Sequence, residues 1–355
     1  MLTLYKGSVD DKIVKALTAT PRPRDLVITV EAGAIKIKAL AAAGVKVGAY
    51  FKTGGAHDPA TGDKRDAGVW AAAAPMLWYA NGERVREPNQ GWCWADLQRF
   101  AEPWADQVVI PRIRARLADV PAGSITVAML DNWGAVWSGN MSPLPPDFDP
   151  AKYVAACSVV LARCRAAFPE LAFLPNGWND WNAPGLRGEA AWGDAAGLWF
   201  EGFRAKVGGT VYDAARLNER LRVCESTDAD HGLFAVAHDY FAPTDYGKRL
   251  STLAAFLVAG GPRSYLHLDG TALGWQTAEQ AIAAELGAPI GRLGMVGQVL
   301  ERRFERGVAV INVSGSGAAF DCSAWREARI AAGGAAWGAP VARVLAHGEG
   351  VVALT

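Results

Sequence analysis

Cysteine is scarce: five residues in 355 (Cys93, Cys157, Cys164, Cys224, Cys322), with no C-x-x-C pair among them. That pattern excludes a full disulfide framework and a zinc knuckle. Cys157 and Cys164 fall two turns apart on a predicted helix and read as buried free thiols. Charge of one sign is not in excess either. The chain has 36 basic and 36 acidic side chains, so its formal net charge is zero. A generic phosphate-binding surface, which needs clustered Lys and Arg, is excluded, and no nucleic-acid partner is expected.

No run reaches the ~18 apolar residues of a membrane-spanning helix. The longest, STLAAFLVAGG, reads as a core helix, so no membrane partner is expected. The N-terminus passes from Met1 through LTLYKG to the charged VDDKIVK without an apolar leader. The setting expected from this is cytoplasmic or virion-associated, unless the chain is a processed form. The histidines form no H-x-H or H-E-x-x-H, and neither G-x-S-x-G nor a P-loop occurs. Zinc hydrolysis, serine-esterase chemistry and nucleotide binding therefore have no motif to stand on. The charged GDKRD reads as a solvated loop.

What the sequence does have is alternation. Short β-rich runs at 2–7, 26–33, 45–51, 125–132, 171–177, 197–203, 233–240 and 263–270 are separated by helical stretches such as DDKIVKALTA, AIKIKALAAAG and PAKYVAACSVVLARCRAAF. Strand–helix–strand repetition implies parallel strands, because parallel neighbours need a crossover. Eight such units predict an α/β fold, a (β/α)8 TIM barrel, over 1–285. From about 286 the apolar runs shorten and are broken by glycines, which predicts a small C-terminal antiparallel β-sandwich domain over 286–355. A ninth run, GWCWADLQ, is placed in the long connection 52–124. Connections of that length are usually functional.

Barrel chemistry sits at the C-terminal ends of strands. Those ends carry Lys6, Glu31, Tyr50 with Lys52, Asp131 with Asn132, Asn176, Glu201, His238–Asp239–Tyr240, and His267 with Asp269. A carboxylate closing an apolar strand costs several kcal/mol unless it is compensated, so Asp131 after VAML and Glu201 after GLWF stand out. Two carboxyl groups across one sugar are what glycosidic cleavage requires. The 14 tryptophans are a second signal. Trp92, Trp94, Trp133, Trp137, Trp178, Trp181 and Trp199 fall at or beyond strand ends, where indole faces can stack on sugar C–H faces. Asn132, Asn176, Asn179 and Asp180 can meet sugar hydroxyls. His238, Asp239, His267 and Asp269 could be weighed as a metal site, but strand neighbours point to opposite faces. No metal and no cofactor is expected.

The order YKG, DLVITVEAG, GVKVGAYF, WADL, AMLDN, LPNGW, WFEGF, then ELGAPIG and RRFERGVAVINVS, resembles the glycoside-hydrolase-like (β/α)8 families related to the endo-α-1,4-polygalactosaminidase group. The resemblance implies a sugar cleft holding Asp131 of AMLDN and Glu201 of WFEGF. It maps the NGW step to Asn176, Gly177 and Trp178, and the HDY step to His238, Asp239 and Tyr240, which resembles an Asp–Tyr pair on the penultimate strand. The tail resembles the β-sandwich that caps amylase-like barrels. One departure is that Asn132 and Trp133 follow Asp131, where those relatives often carry a second acid.

Together these readings predict a retaining glycoside hydrolase acting on an α-linked polysaccharide or oligosaccharide. Asp131 is the expected nucleophile, kept ionised by donors such as Asn132 or Lys6. Glu201 is the expected acid/base, kept protonated by the apolar wall of Trp199 and Phe200. Lys6, Glu31, Tyr50, Trp94, Asp96, Asn132, Trp133, Asn176, Trp178, His238, Asp239, Tyr240 and Asp269 are the expected substrate contacts. The competing expectation is a glycan-binding or structural barrel without turnover, as in a phage or cell-surface assembly.

Overall fold

The computed structural model describes residues 2–19, 26–30, 32–87, 91–131, 144–176, 195–206, 209–240, 242, 244–269, 277–321, 325–331, 334–338 and 343–355. Compact packing divides the chain into two units, Lys6–Trp199 and Met1–Tyr5 with Phe200–Thr355. Strand β1 (Leu2–Gly7) contributes to both.

In the unit Lys6–Trp199, β2 (Leu26–Thr29), β3 (Lys46–Lys52), β4 (Val127–Asp131) and β5 (Ala172–Pro175) pair side by side, all parallel. Their sequences are almost wholly apolar because both faces are covered; Leu26, Val27 and Ile28 are fully buried. Gly48 sits where a Cβ would collide with Ile28, so β2 and β3 need a glycine there. The register sets Lys52 opposite Asp131 and Leu130 opposite Pro175. Ala196 N–H donates to the Phe173 carbonyl at 2.9 Å, beside β5.

Helix α1 (Asp11–Ala19) starts where Asp10 Oδ1 accepts from Ile13 N–H at 2.7 Å. Helix α2 (Ala34–Ala42) follows β2. Helix α3 (Leu97–Trp104) is capped by Asp96 and passes through a π-type turn, Ala105–Val109, into α4 (Ile110–Ala118). The sequence predicts one continuous helix here. The wider turn accommodates Pro111, which has no N–H to give and whose ring crowds the preceding turn. Helix α5 (Pro150–Ala167) has Asp149 as its cap and Pro150 in its first turn, the positions each favours.

The connection after β3 folds on itself. Gly55–Ala56 pairs antiparallel with Cys93–Trp94. Tyr79–Ala80 pairs with Glu83–Arg84 around Asn81 (φ 54°) and Gly82 (φ 79°). Asn-Gly with both φ positive is the pairing that a two-residue hairpin favours. GWCWADLQ thus lies in the connection.

In the other unit, β6 (Gly197–Glu201, divided between the units), β7 (Phe234–Tyr240), β8 (Tyr265–Asp269) and β1 are neighbours in that order. β7–β8 and β8–β1 are parallel, with His238 opposite His267 and Tyr240 opposite Asp269. Strand β6 ends two residues earlier than the sequence suggests, because Gly202 turns the chain at φ 63°. Helices α6 (Ala214–Ala229), α7 (Tyr246–Ala259) and α8 (Thr277–Leu286) complete the α/β part. The pairings β2–β3, β3–β4, β4–β5, β7–β8 and β8–β1 are all parallel, and the strands alternate with helices. A closed ring is not found among the described ladders.

From Pro289 every described pairing is antiparallel. β9 (Pro289–Val296), β10 (Val299–Phe304), β11 (Gly307–Asn312), β13 (Arg326–Ala331), β14 (Gly334–Trp337) and β16 (Gly350–Leu354) form a sheet in the order β9-β10-β11-β16-β13-β14. β12 (Ala318–Phe320) and β15 (Arg343–Leu345) form a second, small sheet. Val308, Val310, Val351 and Ala353 of the large sheet share a core with Ala318 and Leu345 of the small one. Strand β11, GVAVIN, is buried along its length because α7 packs on the large sheet as well. A Cβ on Gly350 would lie 2.6 Å from Ala254 of that helix. The change to antiparallel pairing falls between Asp269 and Pro289, whereas compact packing groups the C-terminal sheets with β7, β8 and their helices. Among the described residues no helix is long and apolar enough to cross a membrane.

Candidate active site

Asp131 is the last residue of β4, half-buried. Its Oδ2 accepts a hydrogen bond from the Tyr50 hydroxyl on β3. Its Oδ1 accepts from Asn176 Nδ2 at 2.7 Å, and Asn176 is itself fixed by its N–H to the Leu130 carbonyl at 2.8 Å. Thr53 binds the Asp131 carbonyl through N–H (3.1 Å) and Oγ1 (2.7 Å). The carboxylate is therefore held by strands on both sides. Asn132, expected as a donor to Asp131, lies outside the described residues. Lys6 lies over two rings, 5.3 Å from the centroid of Tyr50 and 5.2 Å from that of Trp199. Lys52, opposite Asp131 in register, sits 4.6 Å from the Trp92 ring centroid. Burial pushes its ammonium down to about 8, although Asp131 pulls the other way.

A cavity of about 1050 Å³ opens beside these groups. Lys6, Tyr50, Lys52, His57, Arg65 and Asp66 are among the residues that line it. GDKRD is thus only partly a solvated loop. Asp66 is buried, pairs with Arg112 at 2.8 Å and accepts from His57 N–H at 2.7 Å. Burial, with Lys52 second, holds the His57 imidazole below its usual value. Sequence reasoning missed His57, Asp66 and Arg112. The only hint was the HD and KRD steps inside a long connection.

Three expected contacts are corrected by their surroundings. Trp94 is fully buried, tilted against Trp92 at a centroid separation of 4.3 Å, and both rings fill the core of the connection. Gly55 leaves room for the Trp92 ring, which a Cβ would strike. Asp96 is 2% exposed and caps α3, accepting from Arg99 N–H at 3.3 Å; burial pushes its carboxyl up. Asp239, the third, is fully buried. Glu31, Asn132, Trp133 and Trp178 lie outside the described residues, as do Trp137, Asn179, Asp180 and Trp181.

In the second unit Glu201 closes β6, half-buried. Its Oε1 accepts from the Tyr240 hydroxyl on β7. Its carbonyl accepts from Arg220 Nη2 at 2.8 Å. Gly202 follows at positive φ, where a Cβ would lie 2.9 Å from the Ala205 carbonyl and from Tyr212 Oη. The glycine of WFEG is thus a requirement of the turn that presents Glu201. His238 is buried between Tyr240 (ring centroids 4.2 Å) and His267 (4.4 Å), and His267 Nδ1 lies 3.2 Å from the Leu4 carbonyl.

Strand alternation separates the HDY trio. His238 and Tyr240 share one face of β7. Asp239 points the other way and is fully buried. It accepts from Arg204 N–H (2.9 Å), Ala205 N–H (3.3 Å) and Thr252 Oγ1 of α7 (2.7 Å). Burial pushes its carboxyl up, against the pull of Arg204. Asp239 is therefore a structural tie for the turn after Glu201, not a sugar contact. Asp269 is placed by its backbone only, opposite Tyr240. Among the described residues no cluster of three or more His, Cys, Asp or Glu could hold a metal ion.

No family model and no curated protein matches the sequence. Solved structures do. The glycoside hydrolase domain of PelA from Pseudomonas aeruginosa matches 76% of this chain and 94% of its own at 17% identity, with a TM-score of 0.53. A GH36 α-galactosidase from Geobacillus stearothermophilus matches all of this chain (100%) and 55% of its own at 14% identity, TM-score 0.52. An α-amylase from Lactobacillus plantarum matches 99% and 98% at 10% identity, TM-score 0.53. At these identities the likeness is one of fold, and the fold is glycoside-hydrolase-like.

Proposed function

We propose that the chain is a glycoside hydrolase in which Asp131 and Glu201 carry the chemistry. The observation that carries this reading is a repeated arrangement. Each carboxylate ends a strand of the α/β part and accepts a hydrogen bond from the hydroxyl of a tyrosine on an adjacent strand, Tyr50 for Asp131 and Tyr240 for Glu201. The glycoside-hydrolase-like fold supports it.

In a retaining cycle Asp131 attacks the anomeric carbon as the glycosidic C–O bond breaks, and the Glu201 carboxylic acid gives its proton to the departing oxygen. A water then attacks the same carbon and loses a proton to the Glu201 carboxylate, which releases Asp131. Tyr50 and Asn176 would aim the attacking oxygens; Lys6 and Tyr240 would contact the sugar, while buried His238 packs against the Tyr240 ring. The expected substrate is an α-linked polysaccharide or oligosaccharide, as in the polygalactosaminidase-related group that the motifs resemble. The catalytic part spans 1–285, with the β-sandwich over 286–355 as its appendage. No cofactor takes part in this scheme.

The test is hydrolysis of an α-glycan panel with product analysis. Asp131→Asn should abolish turnover and keep glycan binding, because the amide keeps the shape but does not attack. Glu201→Gln should lose most on substrates with poor leaving groups, and azide should rescue Glu201→Ala. Glycan binding by the unaltered protein without any hydrolysis would favour the binding-barrel reading instead.

A further inference from the structure

The described lining of the cavity beside Asp131 is rich in cations, in a chain whose formal net charge is zero. Its described lining includes Lys6, Lys52, Arg65, Arg112 and Arg116, against one carboxylate, Asp66. Asp66 is engaged by Arg112. Arg65 is paired with Asp63 at 2.5 Å, outside the lining. Arg116 donates Nη2 to the Ala32 carbonyl at 2.7 Å and has Asp119 as its carboxylate neighbour. Lys6 is oriented by the faces of Tyr50 and Trp199, and π faces attract a cation without neutralising it. The carboxylates beside these cations, Asp63, Glu87, Asp119 and Asp131, are not among the lining residues, so the described wall that faces the cavity is predominantly cationic. The volume lies at the top of the ~300–1,000 Å³ range of small-molecule sites. Tyr50 belongs both to the cavity lining and to the Asp131 hydrogen bonds, so the cavity adjoins the reacting position.

We propose that this cavity is a subsite for an anionic substituent on the substrate sugar, a uronate carboxylate or a sulfate ester, with Lys6 and Lys52 as its principal ligands. The inference rests on the glycosidase reading and names its substrate class. Lys6 lies one residue before the end of β1, 5.3 Å from the Tyr50 ring centroid, and Lys52 ends β3 two residues beyond Tyr50, on the same face of that strand. The depressed Lys52 ammonium fits this role: a charge that burial leaves under-solvated gains most from an anionic partner. The cavity also disfavours amino sugars, whose cationic group would meet Lys6, Lys52 and Arg116.

The test is calorimetric titration of the full chain with a panel of oligouronates, their methyl esters, sulfated and unsulfated neutral oligosaccharides, and oligogalactosamine. The expected result is at least tenfold tighter binding of one acidic series than of its uncharged counterpart. That preference should weaken as pH rises through 8 and vanish in Lys6→Met and Lys52→Met, while Lys6→Arg retains it. Whether the carboxylate or the sulfate series binds identifies the substituent. Equal binding of acid and ester, or tightest binding of oligogalactosamine, overturns the subsite and leaves the glycosidase reading standing. A preference that survives in the Lys6→Met/Lys52→Met double variant also overturns it. Binding of none of these glycans overturns both readings.

Discussion

Asn176 Nδ2 lies 2.7 Å from Asp131 Oδ1, so the residue that follows β5 fixes the carboxylate that ends β4. Tyr50 holds the other oxygen from β3. A hydrogen bond to a charged group is worth about 1.5–3 kcal/mol. Asn176→Ala and Tyr50→Phe should therefore each lower kcat/KM by roughly 10- to 100-fold, since that range of energy equals about that factor in rate. Melting temperatures should move little. A double variant that loses less than the sum of its parts would show the two bonds acting on one group. Unchanged kcat/KM in both single variants would remove Asp131 from the reaction.

Asp239 invites the opposite experiment. It is buried, with three hydrogen bonds and Arg204 nearby. Removing one member of a buried charged pair costs about 3–5 kcal/mol. Asp239→Ala should show a loss of that order in urea denaturation, and Asp239→Asn a smaller one. A variant of full stability with weakened glycan binding would return Asp239 to the sugar contacts.

How far the sequence foretold this arrangement depended on the range of the interactions involved. Strand positions, the strand-ending Asp131 and Glu201, and the Asn-Gly hairpin follow from local periodicity and turn chemistry. So does the separation of Asp239 from His238 and Tyr240: the period of two that argues against a metal site there argues equally against a shared sugar contact. Trp94 and Asp96 were not legible. Their burial depends on Gly55–Ala56 pairing with Cys93–Trp94 across a long irregular connection, which no local pattern encodes. The cavity cations were hidden for the same reason. Arg65, Arg112 and Lys6 come from separate segments, and only the folded connection brings them to one lining.

Lys52 makes stability depend on pH in a defined window. Its folded value, about 8, lies below the ordinary 10.5. Below pH 8 both states carry the proton, and the folded protein bears the cost of a buried cation in full. Between 8 and 10.5 the unfolded chain binds more protons than the folded one, so stability rises with pH. Relative to Lys52→Met, the unaltered protein should gain stability across that window and show a constant difference below it. Chemical denaturation of both proteins from pH 6 to 10.5 measures this. A difference that is flat from pH 8 upward would mean that Lys52 is solvated.

Gly202 connects backbone conformation to the second carboxylate. Its φ of 63° is one that other residues adopt at a cost of about 1–3 kcal/mol. A Cβ there would also lie 2.9 Å from both the Ala205 carbonyl and Tyr212 Oη. The carbonyl is the harder obstacle, because Ala205 N–H is held by Asp239. Gly202→Ala must therefore shift the turn, and the residue that moves first is its neighbour Glu201, whose carbonyl is tied to Arg220. The variant should lose stability by about the cost of the strained conformation, and turnover should fall further than the folded fraction explains. Measuring kcat at a temperature where circular dichroism shows the variant fully folded separates the two effects. A fully folded Gly202→Ala protein with unaltered kcat would show that Glu201 tolerates displacement, which an acid/base reaching one glycosidic oxygen does not.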